Sequence, residues 1–160
     1  MLEIVNWLAA TRASALIQNV TWIIPAVQSI HILCVCVVMS SVLLLNLRLV
    51  GVIGGGEAAD VFTRRYLPWL GVAICVLAVT GTILIVGEPN RDLNNITFWR
   101  KMALLALALV LTFILERPVL RNARYWEAGL RRPAARILAS AALLCWVCIV
   151  LAGRWIAYTY

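Results

Sequence analysis

Four apolar runs, each about as long as a bilayer is thick, take up most of this 160-residue chain. Residues 23–45 are interrupted only by Pro25, Gln28, Ser29, His31, Ser40 and Ser41, and residues 67–87 carry no charge at all. A helix of about 20 residues crosses a hydrocarbon core roughly 30 Å thick. The third run, Met102 to Leu115, reaches that length when it starts at Ile96 and Arg100 and Lys101 snorkel toward the head groups. The fourth, Ile137 to Tyr158, does the same with Arg154 near its end. Lipid offers no partner to a free backbone N–H or C=O, so each run has to be helical. The expected fold is all-α: an integral membrane four-helix bundle forming one membrane domain, with transmembrane helices over about residues 22–48, 67–87, 96–116 and 136–158.

Tryptophan prefers the interface, where its ring is half apolar and its N–H reaches water, and Trp22, Trp69, Trp99 and Trp155 all fall near these ends. Trp146 alone sits inside a span. A soluble four-helix bundle would need polar outer faces, whereas residues 67–87 are apolar all round. The 64% hydrophobic fraction agrees with a membrane protein, and the net charge of +7 comes from basic residues that flank spans rather than line a soluble face, which argues against nucleic acid as a partner.

Residues 1–20 lack the form of a cleavable signal peptide, since Glu3 precedes any basic residue and no continuous apolar stretch follows. Residues 2–18, broken by Asn6 and Arg12, read as a helix lying on the membrane rather than crossing it. Nine of the 14 basic residues fall on one side of a four-span topology: Arg48, Arg64, Arg65 and the arginines from Arg117 to Arg136. The rule that positive charge stays inside puts that side, with the Gly54–Gly56 turn, in the cytoplasm of a bacterial inner membrane and both termini in the periplasm. The glycine run lacks the strand before it and the lysine after it that a phosphate-binding loop needs, so it reads as a turn.

The five cysteines, Cys34, Cys36, Cys75, Cys145 and Cys148, all lie in spans, where a thiol acts as a small apolar group. The single histidine carries more information. His31 is placed roughly 13 Å below the outer boundary set by Trp22, and an ionisable group at that depth requires a partner. One reading is an interhelical hydrogen bond to Thr80 or Thr82. The other is a ligand site: Arg100, Lys101 and Arg154 gather at the same end, so a neutral imidazole beneath a cationic rim would suit haem b, with His31 on the iron and the cations on the propionates, or a quinone head group.

A bis-histidine haem needs two imidazoles and the chain has one. The second ligand would come from Met102, from an open position or from His31 of another copy, because Met39 lies about 12 Å along the same helix. Copper is the alternative metal, since His31 and Cys34 lie about 60° apart on their helix. At the opposite end, Arg48 and Glu116 are expected to pair, a partly buried Glu116 would be able to carry protons, and Pro118 is expected to stop the third span. Gly153 in the last span would let a neighbouring helix approach closely.

The blocks WIIPAVQSIH (Trp22 to His31), NLRLVG, RRYLPWLG, TGTIL, FWRKMALL and CWVCIVLAGRWIAY resemble a family of small bacterial four-helix membrane proteins of unknown function over nearly the whole chain. The resemblance implies the fold and draws interest to His31, Arg48 and Arg154. Similar chains carry an acid where this one has Asn46. At fold level the arrangement is also similar to copper-resistance membrane proteins and b561-like cytochromes.

With one histidine, no paired carboxylates in a span and no nucleophile beside a base, the chain reads as a redox-accessory or structural subunit rather than an enzyme on its own. Its expected partners are membrane lipids and either further copies of itself, as a homo-oligomer, or a larger membrane complex. The basic-residue asymmetry predicts that a C-terminal reporter active only in the cytoplasm stays silent; strong activity would reverse the orientation while leaving the span count intact.

Overall fold

The computed structural model of the chain describes residues 2–53, 56, 58–122, 124–127 and 131–156. Among these the regular structure is helical: α1 (Leu2–Ala9), α2 (Arg12–Asn19), α3 (Ile23–Val50), α4 (Ala59–Gly87), α5 (Pro89–Leu93), α6 (Ile96–Arg121), a 3-10 turn (Tyr125–Glu127) and α7 (Arg131–Ile156). Helices α3, α4, α6 and α7 are each long and apolar enough to cross a membrane. They run up, down, up and down. Helix α3 packs most extensively on α4 and α6 on α7, while α3 also touches α7 and α4 touches α6, which closes a four-sided bundle.

Polarity is arranged for lipid. Leu33, Val72, Leu107 and Leu144 are exposed in mid-helix, whereas Ser41, Asn46, Thr63, Thr80 and Glu116 are buried. Two levels of the interior are apolar. A central cluster joins Val38, Val42 and Leu45 of α3 to Leu70 and Ala73 of α4, Ala108 of α6, and Trp146 and Ile149 of α7. A smaller one packs Leu115 of α6 against the fully buried Ala139 and Ala142 of α7. Trp146, the tryptophan expected inside a span, is 3% exposed and donates from Nε1 to Thr112 Oγ1 at 3.3 Å. The interfacial tryptophans Trp22, Trp69, Trp99 and Trp155 are exposed.

Helix ends follow local chemistry and depart from the expected spans in identifiable ways. Helix α3 stops at Gly51, whose φ of 88° suits a residue without Cβ, and the N–H of Val52 reaches back to Leu47 O at 2.9 Å. Helix α4 begins at Ala59, two turns before the apolar run, because a helix carrying exposed Arg64 and Arg65 continues into water beyond the hydrocarbon. Pro118 does not stop α6, which runs on to Arg121. So close to the helix end its missing N–H removes one bond, and the chain turns only where Asn122 N–H caps Pro118 O at 2.9 Å. Gly54 and Gly55 of the expected turn, and the end of the fourth span at residues 157 and 158, lie outside the described residues.

The N-terminal segment, expected as a single helix over 2–18, forms two. The break at Ala10–Thr11 has a local cause: Thr11 Oγ1 accepts from Ser14 N–H at 3.3 Å and so caps a new helix. Helix α1 lies on α5, and α2 on α4. Gln18 joins α2 to the end of α4, donating from Nε2 to Ser14 Oγ at 3.0 Å and to Gly87 O at 2.8 Å. A Cβ on Gly87 would stand 3.0 Å from Ile17 Cγ2.

Two outcomes follow from this packing. Gly87→Ala forces the stiff, β-branched Ile17 away and costs about 1 kcal/mol; thermal unfolding reads the loss, and faster amide exchange in α2 locates it. A double-mutant cycle of Trp146→Phe and Thr112→Val gives a coupling of about 0.6 kcal/mol, the usual worth of an interhelical hydrogen bond in lipid. A coupling of zero would mean that the indole is held by shape alone.

Candidate functional site around His31

Residues of all four long helices gather at the His31 end of the bundle. The imidazole comes from α3 and is half-buried. Its Nδ1 lies 2.8 Å from Oγ1 of the buried Thr80 on α4. Of the two threonines expected as partners, Thr80 is the one that meets the ring, while Thr82 faces outward and donates to Ala78 O of its own helix. Next to Thr80, Gly81 leaves the ring space: a Cβ there would touch His31 Cε1 at 3.6 Å, an ordinary contact.

The hydroxyl of Thr80 fixes the state of the ring. Thr80 Oγ1 is also 2.8 Å from Val76 O, and a carbonyl can only accept, so the hydroxyl hydrogen points along its own helix. The hydrogen between the side chains therefore belongs to Nδ1, which donates to Thr80 Oγ1. This tautomer leaves Nε2 with an uncommitted lone pair, the state of a nitrogen that ligates a metal or accepts a hydrogen bond.

The cationic rim is unevenly placed. Lys101 of α6 turns inward, half-buried, close enough for its charge to act on His31. Its Nζ lies 3.5 Å from where a Cβ on Gly153 of α7 would stand, so the glycine leaves room for the ammonium group. Arg100 and Arg154 are exposed. Cys34, one turn past His31, is half-buried with a free thiol, and among the described residues no three His, Cys, Asp or Glu side chains converge on one point.

The short helix α5, which reads as loop in the sequence, completes the electrostatics. Pro89 stands in its first turn, a position where the missing N–H costs nothing, and this was the available signal for a helix. Glu88 and Arg91 form an ion pair at its start. Asp92 faces Lys101 closely enough for each charge to act on the other. Burial pushes the Asp92 carboxyl above its ordinary range, Arg91 pulls it back, Glu88 raises it further and Lys101 opposes that. The site thus carries a half-buried cation with an acid near it, close to the imidazole. At the other end of the bundle, Glu116 accepts a hydrogen bond from Thr63 Oγ1 at 3.0 Å.

No curated protein and no solved structure matches this chain. Residues 15–159 match a family of unknown function, DUF6644. The matched stretch holds all the residues that meet at His31 and the whole of α3, α4, α5, α6 and α7. The chain belongs to this family, whose function is unknown.

Proposed function

We propose that the protein is a bacterial inner-membrane subunit, with its His31 end toward the periplasm, that carries haem b on His31 and serves as an electron-transfer accessory to a larger membrane assembly. The observation that supports this most is the Thr80 contact, which holds Nδ1 as the donor and leaves the lone pair on Nε2. A ligating histidine commonly has its second nitrogen tied in this way. The donor set favours haem over copper. Porphyrin already supplies four nitrogens to the iron, so one imidazole per chain is a usable axial ligand, whereas a copper site built within one chain needs several converging His or Cys side chains. A second axial imidazole would come from another copy of the chain, which fits a homo-oligomer.

Bound there, haem would supply reversible one-electron transfer. The chain's own residues do the rest. Thr80 keeps Nδ1 protonated and the ring oriented, Gly81 leaves the ring edge clear, and Lys101 offers a positive charge to an acidic group. Asp92 balances that charge when no acidic group is present. Exposed Arg100 and Arg154 sit at the same end, where they meet lipid phosphate or the outer edge of a ligand.

Absorption spectra and metal content of the protein purified from haem-supplied cells test this reading. The wild type should show a haem spectrum, His31→Ala should lose it, and Thr80→Val should weaken haem affinity about 10- to 100-fold through the lost orientation of the ring. A colourless wild type, or a spectrum undiminished in His31→Ala, would sink the proposal. Copper in the same preparation in place of iron would assign the site to a copper conduit.

A further inference from the structure

A second polar layer lies at the arginine-rich end, far from His31. Glu116 of α6, Thr63 of α4 and Asn46 of α3 are 3%, 3% and 4% exposed. Each stands about one turn inside the end of its helix. The register between α3 and α4 brings them level: the chains run antiparallel, so stepping along α3 from His31 to Asn46 moves the opposite position on α4 from Thr80 back to the neighbourhood of Thr63. Thr63 in turn is bonded to Glu116. Helix α7 contributes the small, fully buried Ala139 and Ala142, packed on Leu115 beside the acid, with Leu138 next to them.

The hydrogen-bond inventory of this layer is short of donors. Thr63 spends its hydroxyl hydrogen on Glu116 Oε2 at 3.0 Å. Asn46 donates from Nδ2 to Val42 O at 2.8 Å, and its Oδ1, buried, accepts from nothing among the described residues. What the layer holds in surplus is oxygen: the carboxylate, the amide oxygen and the threonine lone pairs. A buried acceptor left without a donor is destabilising, and a bare carboxylate in the same place is more so. One small positive charge delivered to Glu116 removes the bare carboxylate and supplies a donor at the level of Asn46 Oδ1. As a proton it neutralises the carboxylate and becomes the O–H donor that the layer lacks.

The charges nearby stand outside the layer. On α4, Arg64 and Arg65 are exposed and Asp60 is half-buried; Arg117 of α6 and Arg136 of α7 are exposed; Arg48 of α3 is half-buried. Arg64 donates from Nη2 to Leu120 O at 3.1 Å, over the end of α6. These groups stand at the same end of the bundle, most of them exposed. An acid one turn below them is within reach of solvent by a short path while remaining in a low-dielectric interior.

We infer that Glu116, with Thr63 and Asn46, is a proton-binding site open to the arginine-rich side of the membrane. The step is the reversible addition of one proton to the Glu116 carboxylate, with Thr63 stabilising the charged form and Asn46 Oδ1 accepting from the protonated one. This site is independent of any cofactor at His31, and its readout needs none.

The test is infrared spectroscopy of the full chain in lipid nanodiscs, titrated with pH and compared in H2O and D2O. A carboxylic C=O band should appear and vanish over the pH range the protein tolerates, shift in D2O, and be missing in Glu116→Gln. Thr63→Val removes a donor to the charged form and should raise the pH at which the band is lost; Asn46→Leu removes the acceptor for the protonated form and should lower it. These two variants keep the test decisive where Glu116→Gln does not fold. A carboxylic band that never titrates, no Glu116-dependent band at any pH, or the same midpoint in all variants would overturn the inference. So would a band abolished by sodium at constant pH, because the site would then hold a metal cation in place of the proton.

Discussion

In hydrocarbon a side-chain donor that finds no acceptor is expensive, and this bundle resolves that constraint with its own helix carbonyls. Thr80 donates to Val76 O and Thr112 to Ala108 O, each at 2.8 Å. Having spent the hydrogen along its own helix, each hydroxyl presents only lone pairs to the neighbouring one. A ring N–H takes up both: His31 Nδ1 at Thr80 and Trp146 Nε1 at Thr112. One device therefore ties α3 to α4 and α6 to α7, the two most closely packed helix pairs. Thr63 departs from it by donating across to Glu116, and the layer in which it does so is the one left short of donors.

The same logic explains why the His31 region is chemically poised. A histidine whose tautomer is set by a threonine that cannot donate to it has one defined free nitrogen. Around it the structure leaves out side chains at Gly81 and Gly153, where two helices pass, and brings in one cation with a carboxylate opposite. Lys101 on α6 and Asp92 on α5 are both half-buried and close enough for each charge to act on the other, while α5 in turn packs on α1.

Lipid makes composition a gauge of depth, which is why the four spans and the interfacial tryptophans could be placed from the sequence. The gauge fails outside the hydrocarbon. The first two turns of α4 and the whole of α5 lie where an apolar count carries no information, and Thr11 divides the N-terminal segment by a capping bond that a hydrophobicity pattern does not register. Rotation about a helix axis was equally hidden. Neighbours on a helix point about 100° apart, so Lys101 turning inward while Arg100 turns out depends on how α6 seats against α7. The choice of Thr80 over Thr82 depends likewise on α3 against α4. Polar residues and their depth could be read from the chain; which of them meet could not.

The indole of Trp126 donates to Leu115 O at 2.9 Å, reaching from the connection after α6 back onto the helix it has just left. In that connection Arg124 and Arg131 stand on either side of the tryptophan in sequence. The ring hooks the connection to the backbone of Leu115, the residue next to Glu116, so the buried acid and the connection share one stretch of α6.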